Sequence, residues 1–191
     1  MNTTSDTLLH IIKTRRSIFP ASFIAKEISL DILTQILEAA NYAPSHKLTQ
    51  PWRFTVIRKE AKTRLGLRMA EHYKAGAGEN FLQKKYDSFI EKAAQADCIL
   101  AINVQFHPDK LPAWEEVAST ACAVQNMALA AHAFNIGGYW STPGIIHHLD
   151  DFLQLNADEK CHGLFYLGYH NAPEAEAKRT PMADKINWLD V

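Results

Sequence analysis

The chain has 191 residues, 47% of them apolar and 21% charged, with a formal net charge of −1 at pH 7. That length suits a single domain over 1–191 with a core of its own, and the composition excludes a disordered chain. A net charge so near zero supplies no global field to draw in nucleic acid or an anionic membrane.

Three cysteines (Cys98, Cys122, Cys161) are far apart, odd in number and without a CxxC pair, so they read as buried thiols of a reduced compartment. Met1 to Ser17 lacks an apolar core and carries Asp6, which argues against a secretory signal. Val117 to Phe134 is too short and too polar to span a bilayer, so a cytoplasmic protein is expected.

Strands alternate with helices along the chain. Asp6 is the expected cap of a first helix whose Leu8, Leu9, Ile11 and Ile12 form one face, and Ser29 caps a second, stopped by Pro44. Arg53–Arg58 reads as a strand and Glu60–Tyr73 as a helix; Lys74–Ala96 reads as a glycine-bearing loop, then an amphipathic helix able to cover something. Cys98–Phe106 is a β-rich apolar run of the kind found in buried strands. Pro112 opens a long helix to about Asn135, closed by Gly137 and Gly138; its alanine-rich surface predicts burial on most sides, in part against a second subunit. Tyr139–Thr142 reads as a short strand, Thr142-Pro143 as the start of another helix, and Gly163–Tyr169 as the last strand. The tail from Asn171 to Val191 looks extended, with Trp188 and Leu189 to dock it. The class is α+β, a central sheet among helices with a C-terminal arm.

Several chemistries are missing. Gly76-Ala-Gly78 lacks the third glycine and the strand–helix setting of a dinucleotide fingerprint. There is no Walker loop, GxSxG elbow or HExxH. His147 and His148, as neighbours, point apart on a helix and make a poor metal pair, so no metal is expected. Glu115 and Glu116 read as first-turn carboxylates that suit the helix dipole.

Two segments resist explanation as packing. Arg15-Arg16-Ser17 is either a pair of cations answering the end of the first helix or a clamp whose guanidinium forks match phosphate oxygens. Ala43-Pro44-Ser45-His46-Lys47-Leu48-Thr49-Gln50-Pro51-Trp52 is a polar loop stiffened by proline at both ends, which suits ligand contact.

In their order and spacing these segments resemble the FMN-dependent nitroreductase family, with its Arg-Arg-Ser, Ala-Pro-Ser and Gln-Pro-Trp. The resemblance runs on through Gly137–Gly144, Gly163–Tyr169 and Lys178-Arg179-Thr180-Pro181, and so covers nearly the whole chain. Many members carry asparagine where this chain has Leu48. Its Ser45-His46-Lys47 looks instead like the compact, single-domain branch of the bacterial YdjA type.

The resemblance implies a nitroreductase-like α+β fold: a mostly antiparallel central sheet flanked by helices, a long buried central helix and an extended arm. It also implies a homodimer with flavin sites at the subunit interface. Arg15, Arg16 and Ser17 would hold the FMN phosphate, ribityl and pyrimidine groups from one subunit. Tyr42 and His46 would approach the same flavin from the other. Trp140, Ser141 and Thr142 would line the ring, and Arg179, with Lys178 beside it, would return from the tail to the phosphate.

The activity implied is ping-pong hydride transfer from NADH or NADPH, through the flavin, to a nitroaromatic, quinone or enone. The flavin carries that chemistry, so no catalytic acid or base is needed. Phe81, Tyr86, Phe89 and Trp114 are candidates to cap the flavin face, with helical core the commoner fate of each. Three alternatives stay open: another flavin chemistry on the same fold, a flavin-binding or storage protein without turnover, and an interaction domain in which the arginines only cap a helix.

Overall fold

In a computed structural model, which describes residues 3–189, four strands form one antiparallel sheet. They are Trp52–Arg58 (β1), Cys98–Gln105 (β2), Ile136–Ser141 (β3) and Glu159–Tyr169 (β4), in the order β1-β2-β4-β3. The two central strands, β2 and β4, are buried on both faces, which explains the unbroken apolar run from Cys98 to Val104.

Helices cover both faces. On one lie Leu30–Ala40 (α2) and Ala113–Ala133 (α5), whose Leu33, Ile36, Val124 and Met127 pack on Leu100, Ile102 and Leu167. On the other lie Glu60–Ala77 (α3) and Gln83–Gln95 (α4), whose Leu65, Met69 and Ala93 pack with Ile99, Ala101 and Leu164. Alternate residues of β2 thus feed opposite cores, as the two-residue period of a strand requires. A first helix, Thr4–Thr14 (α1), and a single turn, Asp150–Leu153 (α6), complete the fold. Among the described residues no helix is long and apolar enough to cross a membrane.

The ends of several elements differ from expectation. The cap of α1 is Thr3, whose hydroxyl accepts from the Asp6 amide at 3.1 Å while the Asp6 carboxylate accepts from the Thr3 amide at 3.0 Å. This reciprocal box makes Asp6 the third helical residue. Ser29 caps α2 as expected, accepting from the Ile32 amide.

Helix α3 runs through Gly76 to Ala77, so the expected long loop shrinks to 78–82. Asn135, at φ 57°, turns the chain out of α5, and Gly137 and Gly138 lie inside β3. The element after Thr142-Pro143 is a 3-10 turn, Gly144–His148.

Only one side of α5 is buried within the chain; Ala121, Cys122 and Gln125 are exposed, so Cys122 is not a buried thiol as Cys98 and Cys161 are. Leu8, Leu9 and Ile12 of α1 are also exposed, as are Trp188 and Leu189 of the arm. Asp190 and Val191, where the expected arm ends, lie outside the described residues.

Candidate functional site

The site grows from a strap. Beyond α1 the chain turns extended at Arg15, and Ser17 forms a parallel bridge with Gly138, where the Ile18 amide donates to the Gly138 carbonyl at 3.1 Å. The strap can lie this close because Gly137 has no side chain: a Cβ there would fall 2.8 Å from Ile18 Cβ, while one on Gly138 would fall 2.5 Å from the Phe165 ring of β4. Two residues along β3, the Trp140 indole N–H donates to the His162 carbonyl at 3.0 Å. The ring lies against Gly163, whose φ of 147° and lack of a Cβ leave it room.

Two clefts meet at this strap. One, of about 410 Å³, is lined by Arg15, Arg16, Ser17 and Arg179 with Ala172, Pro173 and Ala175 of the tail. The other, of about 140 Å³, is lined by Arg15, Ser17, Gln125, Gly138 and Trp140. Arg15, Arg16, Ser17, Trp140 and Arg179, far apart in sequence, therefore share one region. Ser141 ends β3 half-buried, and Thr142 follows it exposed.

The three guanidiniums differ in engagement. Arg16 donates through Nη1 to the carbonyls of Lys13 at 2.6 Å and Arg15 at 2.7 Å, and through Nε to that of Ala175 at 2.9 Å. It therefore does cap α1, and it also ties the tail down. Arg179 donates to the neighbouring Lys178 carbonyl. Burial lowers the pKa of Arg15 from its usual value, and the like charges of Arg16 and Arg179 add to that. Among the described residues none of the three forms an ion pair with a carboxylate. His132, in the adjoining crevice, is held below the usual imidazole range by burial and then by Arg15. The region is thus a concentration of positive charge with no internal counterion, which favours an anion.

Tyr42 and His46 lie elsewhere. Tyr42 is 78% exposed at the end of α2, and His46 Nδ1 sits 2.6 Å from Glu115 Oε2 in the first turn of α5. Arg15 and Arg16 line the crevice beside His132, in the last turn of the same helix. Glu115 and His132 are separated by about 25 Å along the axis at ~1.5 Å per residue. One chain does not bring the two sets together.

The nitroreductase family profile matches residues 12–169. The chain belongs to the nitroreductase family. It is accordingly an oxidoreductase. YdjA of Escherichia coli (strain K12), provisionally named an NAD(P)H nitroreductase, is 31% identical over 139 residues, which is 71% of this chain and 74% of that protein. A nitroreductase-like family protein from Bacillus cereus superposes with a TM-score of 0.81 at 23% identity, over 99% of both chains. A nitroreductase with bound FMN from Bacteroides fragilis superposes with a TM-score of 0.71 at 25% identity, over 96% of this chain and 98% of that one.

In this member of the family the residues that the sequence undersells are Glu115 and Glu116. Glu116 is 1% exposed and accepts from the His107 amide at 2.8 Å and from His107 Nδ1 at 2.7 Å, so it anchors the β2–α5 connection. The signal was present: Glu116, Thr120, Ala123, Met127 and Ala131 fall on one helical stripe, and all are buried. Glu115, one position round, faces the His46 loop. Of the aromatic residues considered for the flavin face, Phe81 and Phe89 gather on Tyr73, with centroids 5.8 and 5.9 Å away, and Tyr86 lies 6.1 Å from Phe81. Trp114 is 69% exposed at the start of α5.

Proposed function

We propose that this protein is an FMN-dependent reductase of small organic acceptors that draws electrons from NADH or NADPH. We place it in the cytoplasm as a homodimer. The observation that carries the reading is the meeting of Arg15, Arg16, Arg179 and Ser17 in one cleft without a carboxylate, next to Trp140. Guanidinium forks and a hydroxyl are the donor set a phosphomonoester requires, and the adjoining cleft supplies the Trp140 indole and Gly138 for a flat ring. The residues present therefore fit FMN. The bound FMN of the Bacteroides fragilis nitroreductase and the naming of YdjA support the same cofactor and donor.

Bound there, FMN supplies hydride chemistry, taking two electrons from a reduced nicotinamide and yielding them to a second substrate. Arg15, Arg179, Arg16 and Ser17 hold its phosphate, ribityl and pyrimidine groups, while Trp140, Ser141 and Thr142 line the ring. The positive charge at Arg15 and Arg16 also favours the anionic reduced form.

The exposed side of α5 is the proposed dimer surface. In a two-fold dimer with α5 antiparallel to its copy, the Glu115 end of one helix meets the His132 end of the other. His46 and Tyr42 then reach the flavin held by the partner, which accounts for their distance from Arg15 within one chain.

The test is the cofactor itself. The purified protein is expected to be yellow and to release FMN on denaturation. Recovery of FAD, or no bound flavin after incubation with excess FMN, overturns the proposal.

A further inference from the structure

The crevice behind the Arg15–Ser17 strap gathers five basic side chains. Arg15 and Arg16 line it together with His132 of α5. His10 joins them from α1, and His170 from just beyond β4, where a Cβ on Gly137 would fall 2.7 Å from its ring. Among the described residues none of the five forms an ion pair with a carboxylate. Burial first, then Arg15, His10, His170 and Arg16, hold the His132 imidazole below its usual range. The flavin-free protein therefore keeps it neutral at pH 7. In the proposed dimer the Glu115 end of the partner's α5 also arrives here, its carboxylate engaged by His46 of its own chain.

One hydrogen bond fixes the tautomer of His132. The Thr14 hydroxyl donates its single proton to the His10 carbonyl at 2.7 Å, so in the 2.8 Å contact with His132 Nε2 the ring N–H is the donor. Nδ1 carries the lone pair, and a proton added there leaves the Thr14 contact intact. The ring also sits in the last turn of α5, where the helix dipole favours a cation. Burial and four basic neighbours oppose that charge, and a bound phosphate would answer them. We propose that His132 is a proton-linked member of the flavin clamp, taking up a proton as the phosphate binds and so tightening FMN binding as pH falls toward 6. This inference rests on the FMN reading above. By linkage, the charge gained on the imidazole favours the phosphate as much as the phosphate favours the charge. Thr14 joins His132 to the residue directly before Arg15, so that charge arises at the strap itself.

The test counts protons. Flavin-free protein is titrated with FMN by calorimetry near pH 6.5, in two buffers of different ionisation enthalpy. A phosphomonoester itself titrates near pH 6 and releases protons on meeting cations, so wild type is compared with His132→Gln, which shares that release. The glutamine amide can still donate to Thr14. Wild type takes up about half a proton more per site than the variant. Between pH 8 and pH 6 the ratio of the variant's Kd to that of wild type grows by about threefold to tenfold. Nitrogen-15 NMR of the His132 ring in wild-type protein, with and without FMN, shows Nδ1 gaining a proton on binding and needs no variant. Equal proton counts in the two proteins, or a His132 ring whose protonation FMN leaves unchanged, overturns the proposal while the flavin reading stands. Protein that binds no FMN overturns that reading and the proton link with it.

Discussion

His46 Nδ1 and Glu115 Oε2 lie 2.6 Å apart, and this contact pins a strained loop to the first turn of α5. Within five residues the loop places Lys47, Leu48 and Gln50 at φ of 49°, 53° and 45°. Side chains pay about 1–2 kcal/mol for such left-handed backbone. Lys47 Nζ donating to the Lys110 carbonyl and Ser45 Oγ accepting from the Gln50 amide, both at 2.8 Å, offset part of that cost.

Leu48 is 80% exposed, so its side chain contributes little by burial. Asparagine, the residue many family members carry there, tolerates the left-handed region with a smaller penalty. Leu48→Asn is expected to raise stability by about 0.5 kcal/mol, or ~1–2 °C in Tm. A lower Tm by differential scanning calorimetry refutes the strain assignment.

Arg15 and Arg16 are expected to separate when each is replaced by alanine. Arg16 holds three backbone carbonyls, so Arg16→Ala lowers the stability of the flavin-free protein as well as FMN affinity. Arg15 has like charges beside it and no carboxylate partner among the described residues, so Arg15→Ala leaves that stability unchanged or higher. It weakens FMN by about 2–5 kcal/mol, the usual loss on truncating one partner of a buried charge pair. Fluorescence titration with FMN and urea unfolding of both variants decide it. An Arg15→Ala protein with wild-type FMN affinity makes Arg15 a bystander.

Stability is expected to fall in mild acid because of His132 and His162. Burial lowers the pKa of both in the fold; Arg15, His10, His170 and Arg16 add to the effect at His132, and His147 at His162. The unfolded chain protonates these imidazoles near pH 6.5, and the folded chain does so only at lower pH. Below about pH 6.5 the unfolded state therefore binds more protons, and stability declines as pH drops. His132→Gln should flatten the decline between pH 7 and 5 in urea unfolding. A slope identical to wild type removes His132 as a contributor.

The shared site can be tested by mixing subunits. If Arg15→Ala and His46→Ala are each impaired as homodimers, co-refolding equal amounts makes half the dimers hybrids. Each hybrid then carries one site with both lesions and one with neither. Activity recovers to about a quarter of wild type, as two-fold symmetry dictates. Hybrids present by native mass spectrometry but inactive place both residues on the same chain's flavin.

The sequence was most legible where one physical cause acts locally. The periodicity of α2, the apolar run of β2 and the Arg15–Ser17 cluster needed only neighbouring residues for their reading. It was least legible where a residue serves a distant partner. Gly137 and Gly138 resemble a helix terminator, yet Gly137 lets a strap more than a hundred residues earlier lie against β3 and Gly138 leaves room for Phe165 of β4. Glu115 looks like a dipole carboxylate until the loop carrying His46 folds back on it. Gly76 suggests a break, yet the packing of α3 against α4 carries the helix past it.

The strand order also fixes a timetable. β4, the last strand made, sits between β2 and β3, and without it β3 has no neighbour in the sheet. During synthesis the β1–β2 pair can form early, while Gly138 waits for residues 159–169 to leave the ribosome. Only then can Ser17 and Ile18 dock. The arginines translated first are thus positioned last, so a ribosome stalled before residue 159 holds a nascent chain that has no place to seat its Arg15–Ser17 strap.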